Sequence, residues 1–294
     1  MNKKKSAVLA ILLILLQSTL YGFGDPISKA AFDTVPLFTM LTLRYSIALV
    51  VMLLIWGKRI IKGIKECNWS DWIIPTLCIG GAYVANNVAL LLTEATTVAF
   101  IRSLPTLIAP LLAFIFYRRY CGKKLMGVQL LVVVGLYMLC CGSNGIGNIF
   151  GWGEFFAFLS AVLLAGALVA GEHSVKTVDP IVLTALQTAA SVVMAIVGRC
   201  FSAEVMPAVI PIKVWAIILY LAVLCTLAGY LLQNLALESI QSQTVAVVQA
   251  SCPIMTAIFS FFVLGEKLTL MGLTGAIIIV ACLVAAVYLD KDFQ

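Results

Sequence analysis

Hydrophobic and polar positions in this chain follow one dominant pattern, apolar runs of about 20 residues separated by short polar joints. Ten such runs can be drawn, at roughly 6–31, 36–56, 72–93, 97–117, 125–142, 152–172, 180–199, 212–236, 244–264 and 269–289. At 1.5 Å per residue, each is long enough to cross the ~30 Å hydrocarbon layer of a bilayer as a helix. Helices satisfy their own backbone groups in lipid, so no strand is needed. The joints at 57–71, 118–124, 143–151 and 200–211 read as loops, and none is long enough to be a soluble domain. The pattern predicts an all-α polytopic membrane protein with ten transmembrane helices.

The runs also repeat. Asn87-Val-Ala-Leu, then Thr97-Val98-Ala99, then Pro105 is echoed by Asn234-Leu-Ala-Leu, Thr244-Val245-Ala246 and Pro253. The Asn and Thr of the two copies are offset by 147 residues, and Pro36 before the second run matches Pro180 before the seventh at an offset of 144. The chain therefore divides into two five-helix repeats, 1–145 and 146–294. Five spans is an odd number, so the second half enters the membrane from the opposite side, and the fold class is two inverted five-helix repeats. This architecture is common among secondary transporters, because a pseudo-two-fold axis in the membrane plane gives two mirror-like states of similar energy.

Composition agrees with lipid as the solvent. The chain is 63% hydrophobic and 11% charged, with a mean hydropathy of +1.10, where soluble domains average about a quarter charged residues. The net charge of +6 does not imply a nucleic-acid partner, because the Lys and Arg sit in short joints beside apolar runs. One face collects Lys3, Lys4, Lys5, Lys58, Arg59, Lys62, Lys65, Arg118, Arg119, Lys123, Lys124, Lys176 and Lys291, and the other collects Lys29, Arg199, Lys213 and Lys267. Thirteen against four puts both termini in the cytoplasm. Lys3 to Lys5 before an apolar run also suits a signal peptide, but no small-residue cleavage site follows cleanly, and a first membrane helix is expected. Nine scattered cysteines without a Cys-x-x-Cys pair argue against a disulfide framework and against zinc.

Several short motifs resemble a known family. Tyr21-Gly22 to Lys29 closes span one, Leu43-Arg44-Tyr45 with Ala48 lies in span two, and the Pro105 and Pro253 segments follow. Leu264-Gly265-Glu266-Lys267, with Gly272 and Gly275, opens span ten. Together they are similar to the drug/metabolite transporter superfamily, in its ten-helix EamA-type branch. The counterpart of Leu-Gly-Glu in the first half, Tyr117-Arg118-Arg119, lacks the glutamate. The resemblance implies transport of small metabolites such as amino acids, export from a bacterial cell, and a monomer.

Ionisable groups inside spans are costly and are functional candidates. Arg102 lies five residues into span four, about 7.5 Å deep at 1.5 Å per residue. Asp25 lies at comparable depth from the same face, so the two can pair, either as a structural lock on the outer gate or as binders of a substrate carboxylate and amine. Arg44 is about 12 Å in; it either bonds helix-end carbonyls of its own repeat or joins the site. Two arginines against one aspartate suit an anionic or zwitterionic ligand. Asp25-Pro26 is expected to interrupt span one.

Tyr83, Asn86 and Asn87 share a face of span three, and Tyr230, Gln233 and Asn234 repeat that face on span eight. With Tyr21, and with Gln249 at the position equivalent to Arg102, they complete the substrate-binding set; interhelical amide bonds that only hold the bundle are the alternative. Glu154 is a second gate or proton-site candidate. Gly153, Ala157, Ala161 and Ala165 form a small-residue ladder for close helix packing. No phosphate-binding Gly-rich loop, His-rich metal site or nucleophile–base pair is present, so neither a cofactor nor an enzyme is expected. The expected partners are a small-molecule substrate and membrane lipid. The readings are a secondary transporter of amino acids or related zwitterions working by alternating access, efflux of cationic drugs or quaternary amines, and a membrane scaffold or membrane enzyme.

Overall fold

Every apolar run folds as helix in the computed structural model, which describes residues 3–93, 95–118, 122–141, 151–205, 207–264 and 269–290. The first half comprises α1 (Lys3–Phe32), α2 (Leu37–Glu66), α3 (Trp69–Leu92), the half-helices α4 (Ala95–Arg102) and α5 (Pro105–Tyr117), and α6 (Lys123–Cys141). The second half comprises α7 (Trp152–Ser174), α8 (Pro180–Ser202) and α9 (Ile212–Tyr220), which runs through a π-helical segment, Leu221–Ala228, into α10 (Gly229–Leu237). Half-helices α11 (Ser242–Gln249) and α12 (Cys252–Leu264) and then α13 (Leu270–Asp290) complete it. No strand occurs among the described residues. Eight helical stretches have the length and hydropathy to cross a membrane, and α13 adds a shorter apolar one, Leu270–Ala285. Leu54 (80% exposed), Phe116 (72%) and Leu270 (85%) lie on the outer surface, as a lipid-facing exterior requires. The protein is a multi-pass membrane protein.

Three expectations are corrected. The joint 57–71 is mostly helical, because α2 continues to Glu66 past a non-helical residue, Trp56 (φ −122°, ψ 17°). In that extension Ile60 is buried and Gly63 lies against Val182 of α8, while Lys58, Lys62 and Lys65 are exposed. Charges on a solvated side do not end a helix whose other side is packed. Second, α1 is unbroken through Pro26. Gly22, whose carbonyl that proline leaves unpaired, is pressed against the Met255–Thr256 backbone of α12, so packing holds the helix in line. Third, Arg44 bonds Thr226 of the other repeat rather than helix-end carbonyls of its own, among the described residues. The segment after Leu264, Arg119, Lys291 and most of the 143–151 joint lie outside the described residues.

The breaks fall instead inside the repeated stretch. Ser103 N bonds Phe100 O and Leu104 N bonds Ile101 O; 147 residues later, Ala250 N bonds Val247 O and Ser251 N bonds Val248 O. Both copies tighten from α-helix to i→i+3 turns beside a proline, which removes a backbone donor. Arg102 and Gln249 are the last residues before the two breaks.

Contacts at the two ends show the inversion. At one end the Ser6 and Ser239 hydroxyls bond each other, Glu172 accepts from Ser242 N, Arg59 pairs with Asp179, and Ser174 donates to Asp71 O. At the other end Lys29 Nζ donates to Thr93 O, Thr93 Oγ1 donates to Glu154, and Glu204 accepts from Phe38 N and Thr39 N. The start of α1 is thus level with the end of α7, the end of α2 with the start of α8, and the start of α3 with the end of α10. Each runs antiparallel to its counterpart. The α7 ladder packs on α3 as expected, with Ala157, Ala161 and Ala165 fully buried and no room for a Cβ between Gly153 and Thr93.

Candidate functional site

Because α4 must stop before Pro105, its last side chain is delivered into the middle of the bundle rather than along a continuing helix. Arg102 Nη1 lies 3.0 Å from Asp25 Oδ2 of α1, and Nη2 lies 2.7 Å from Cys252 Sγ at the start of α12. The Tyr21 ring is 6.0 Å from the guanidinium. The pairing of Asp25 with Arg102 expected from their depths is therefore present. With side-chain exposures of 18% and 10%, removing one partner would leave a nearly dry charge, at about 3–5 kcal/mol.

Arg44, 4% exposed, reaches across to the other repeat. Its Nε donates to Thr226 Oγ1 at 2.7 Å, and its guanidinium sits 5.5 Å from the Tyr45 ring. Thr226 belongs to the π segment, a local widening that is frequent at functional sites. Among the described residues no carboxylate lies within ion-pair distance of Arg44. Two guanidinium groups and one carboxylate leave one positive charge in excess.

The tyrosines mark the pseudo-two-fold axis. Tyr83 and Tyr230, equivalent at the 147 offset, stack on each other with centroids 5.1 Å apart, and Tyr21 lies 5.7 Å from Tyr83. Two small cavities flank them. One, about 30 Å³, is lined by Ser18, Tyr21, Tyr83, Arg102, Gln249 and Cys252, among others. The second, about 10 Å³, is bounded by Asp25, Arg44, Asn86, Asn87 and Arg102 as well as Tyr21 and Tyr83. At roughly 10–15 Å³ per water, they admit a few waters at most and no solute.

On the Gln249 side the chemistry is neutral. Gln249 Nε2 donates to Gln17 Oε1 at 3.0 Å and to Gln233 Oε1 at 2.9 Å. Gln17 Nε2 donates to Gly229 O at 2.9 Å. Two members of the expected set lie elsewhere. Asn234 donates to Thr184 Oγ1 and Gln187 Oε1 of α8, holding the bundle together. Glu154 accepts from Gly151 N and Thr93 Oγ1, capping α7 at the end of the bundle, away from both cavities. Sequence reasoning passed over Gln17, Ser18, Thr226 and Cys252. Gln17 carried a usable signal, an amide in the middle of a long apolar run.

The whole chain also compares with known proteins. Residues 8–141 and 151–288 each match the EamA-like transporter family, one match per half. Two proteins of Archaeoglobus fulgidus, each named an uncharacterized transporter, are 24% and 25% identical over 282 and 290 residues. The first alignment covers 96% of this chain and 86% of that protein, the second 96% of each. The uncharacterized transporter YyaM of Bacillus subtilis is 26% identical over 268 residues, covering 88% of this chain and 83% of that protein. A crystal structure with 18% identity matches over 99% of both chains with a TM-score of 0.77, which supports the fold. With both halves matched, relatives named as transporters and charged side chains gathered between inverted repeats, the chain belongs to the EamA-like transporter family.

Proposed function

We propose that this transporter moves small carboxylate-bearing metabolites, amino acids or related zwitterions, out of the cell across the bacterial cytoplasmic membrane, with both termini in the cytoplasm. The observation that carries the reading is the uncompensated positive charge of Arg44 and Arg102 against Asp25, buried where the two repeats meet. A buried charge in excess is costly, and a carboxylate that enters beside it relieves that cost. The cavities are too small for a solute, so binding requires the halves to part, and a scaffold of two inverted repeats can part toward either face by the same motion. That geometry supports alternating access as the mode of transport.

The test is ligand-dependent stabilisation of the purified protein. A panel of L-amino acids is expected to raise Tm, and Arg102→Gln to raise the amino-acid concentration needed for the same shift by roughly tenfold or more, the worth of one charge-assisted hydrogen bond. The double variant Asp25→Asn/Arg102→Gln neutralises the pair without leaving a lone charge, so loss of binding there reports on the ligand rather than on folding. Stabilisation by lipophilic cations alone would sink the proposal in favour of cation efflux. Counterflow of labelled amino acid in liposomes separates transport from scaffolding. Its dependence on pH, compared with that of Asp25→Asn, shows whether protons are coupled.

A further inference from the structure

Gln249 leaves one strong acceptor without a partner. Both of its amide protons are used, on Gln17 Oε1 and Gln233 Oε1. This fixes the amide orientation, since the flipped amide would set its oxygen against two carbonyl oxygens. Gln249 Oε1 is buried and unpaired, and so is the Ser18 hydroxyl, whose residue is 1% exposed. Both residues line the same cavity as Arg102. An unsatisfied buried polar atom forfeits about 1–3 kcal/mol. Here the Gln17–Gln233–Gln249 network holds one such atom in place on the wall of that cavity.

We infer that Gln249 Oε1 and Ser18 Oγ form a subsite for an ammonium or other N–H donor, and that it faces the guanidinium of Arg102 across one ligand. Arg102 and Gln249 are equivalent positions of the two repeats, so they approach the pseudo-two-fold axis from opposite sides. One offers donors and positive charge, the other a neutral acceptor. A molecule with a carboxylate at one end and an amine a short distance away satisfies both. Asp25 is ion-paired with Arg102, whose guanidinium has further donors to offer, whereas Gln249 Oε1 and Ser18 Oγ are acceptors without a partner. The inference deepens the zwitterion reading and rests on it: the scaffold's symmetry provides two equivalent places, and their two side chains read the two ends of the substrate.

The experiment compares L-leucine with 4-methylpentanoate, the same molecule without its amine, by calorimetric binding to full-length protein in detergent. Wild type is expected to bind leucine at least tenfold more tightly. Ser18→Ala and Gln249→Met are expected to bring that ratio to within about threefold, the loss of one acceptor each, while affinity for 4-methylpentanoate changes little. A variant that merely loosens the bundle weakens both ligands alike and keeps the ratio at its wild-type value, an outcome that overturns the subsite. Equal affinity of wild type for the two ligands overturns it as well, and leaves the carboxylate reading standing. Binding of neither ligand removes both.

Discussion

Arg44 shows how much of a side chain's role depends on a partner far away in the chain. Its presence in an apolar run marks it as important, but its hydrogen-bond partner, Thr226, is 182 residues distant, and no local pattern points to it. Replacing Thr226 with valine keeps the shape and removes the acceptor for a buried charged donor. It is expected to destabilise the protein by about 1–3 kcal/mol, read as a lowered Tm, whereas Thr226→Ser should be close to wild type. Glu204 is a second case. It accepts from Phe38 N at 3.0 Å, Thr39 N at 2.7 Å and Thr39 Oγ1 at 3.1 Å, so it caps the start of α2 from the segment that follows α8. Glu204→Ala should cost about 0.5–2 kcal/mol, measurable as a drop in Tm that Glu204→Gln partly reverses. Asp25, Arg102 and the tyrosines were legible because charges and rings stand out in an apolar run. Ser18 was not, because a lone hydroxyl there usually means packing, whereas Gln17 was overlooked although its amide stands in an apolar run as those of Asn86 and Gln249 do.

At the level of elements, hydrophobic run length located the helices and misjudged what interrupts them. Pro75 and Pro110 sit inside unbroken α3 and α5, and Pro26 inside α1, whereas breaks occur beside Pro105 and Pro253. Proline removes one donor in every case; whether the helix also parts depends on what is packed against it, which sequence does not display. The π segment was invisible for the same reason, and its first-half counterpart is regular helix in α3. Close helix approach is easier to test. A Cβ at Gly275 would clash with Gly135 O and lie 2.6 Å from Leu139 N, while at Gly127 nothing lies within 4 Å. Gly275→Ala is therefore expected to force α13 from α6 and cost about 1–3 kcal/mol. Gly127→Ala should leave Tm unchanged or slightly raised. Equal tolerance of both would show that the pair is not tightly packed.

Across the whole molecule, the odd span count and the repeat offset together foretold the inversion, and the end-to-end contacts bear it out. The thirteen-to-four bias of Lys and Arg adds a direction that native cysteines can report. Cys200 is exposed at the end of α8 and Cys67 lies between α2 and α3 at the opposite face. In single-cysteine variants on intact cells, a membrane-impermeant maleimide is expected to label Cys200 and to spare Cys67 until the membrane is opened; the reverse pattern would invert the assigned topology. The overhang of α2 beyond Trp56 has a mechanical consequence. If the molecule shifted by one helical turn, about 5.4 Å, it would draw Lys58, Arg59 and Lys62 toward hydrocarbon, where each costs up to ~2.5–3.5 kcal/mol. Arg59 also ties this segment to α8 through Asp179. The lysine-fringed end of α2 thus resists displacement of the helix into lipid, as a waterline does.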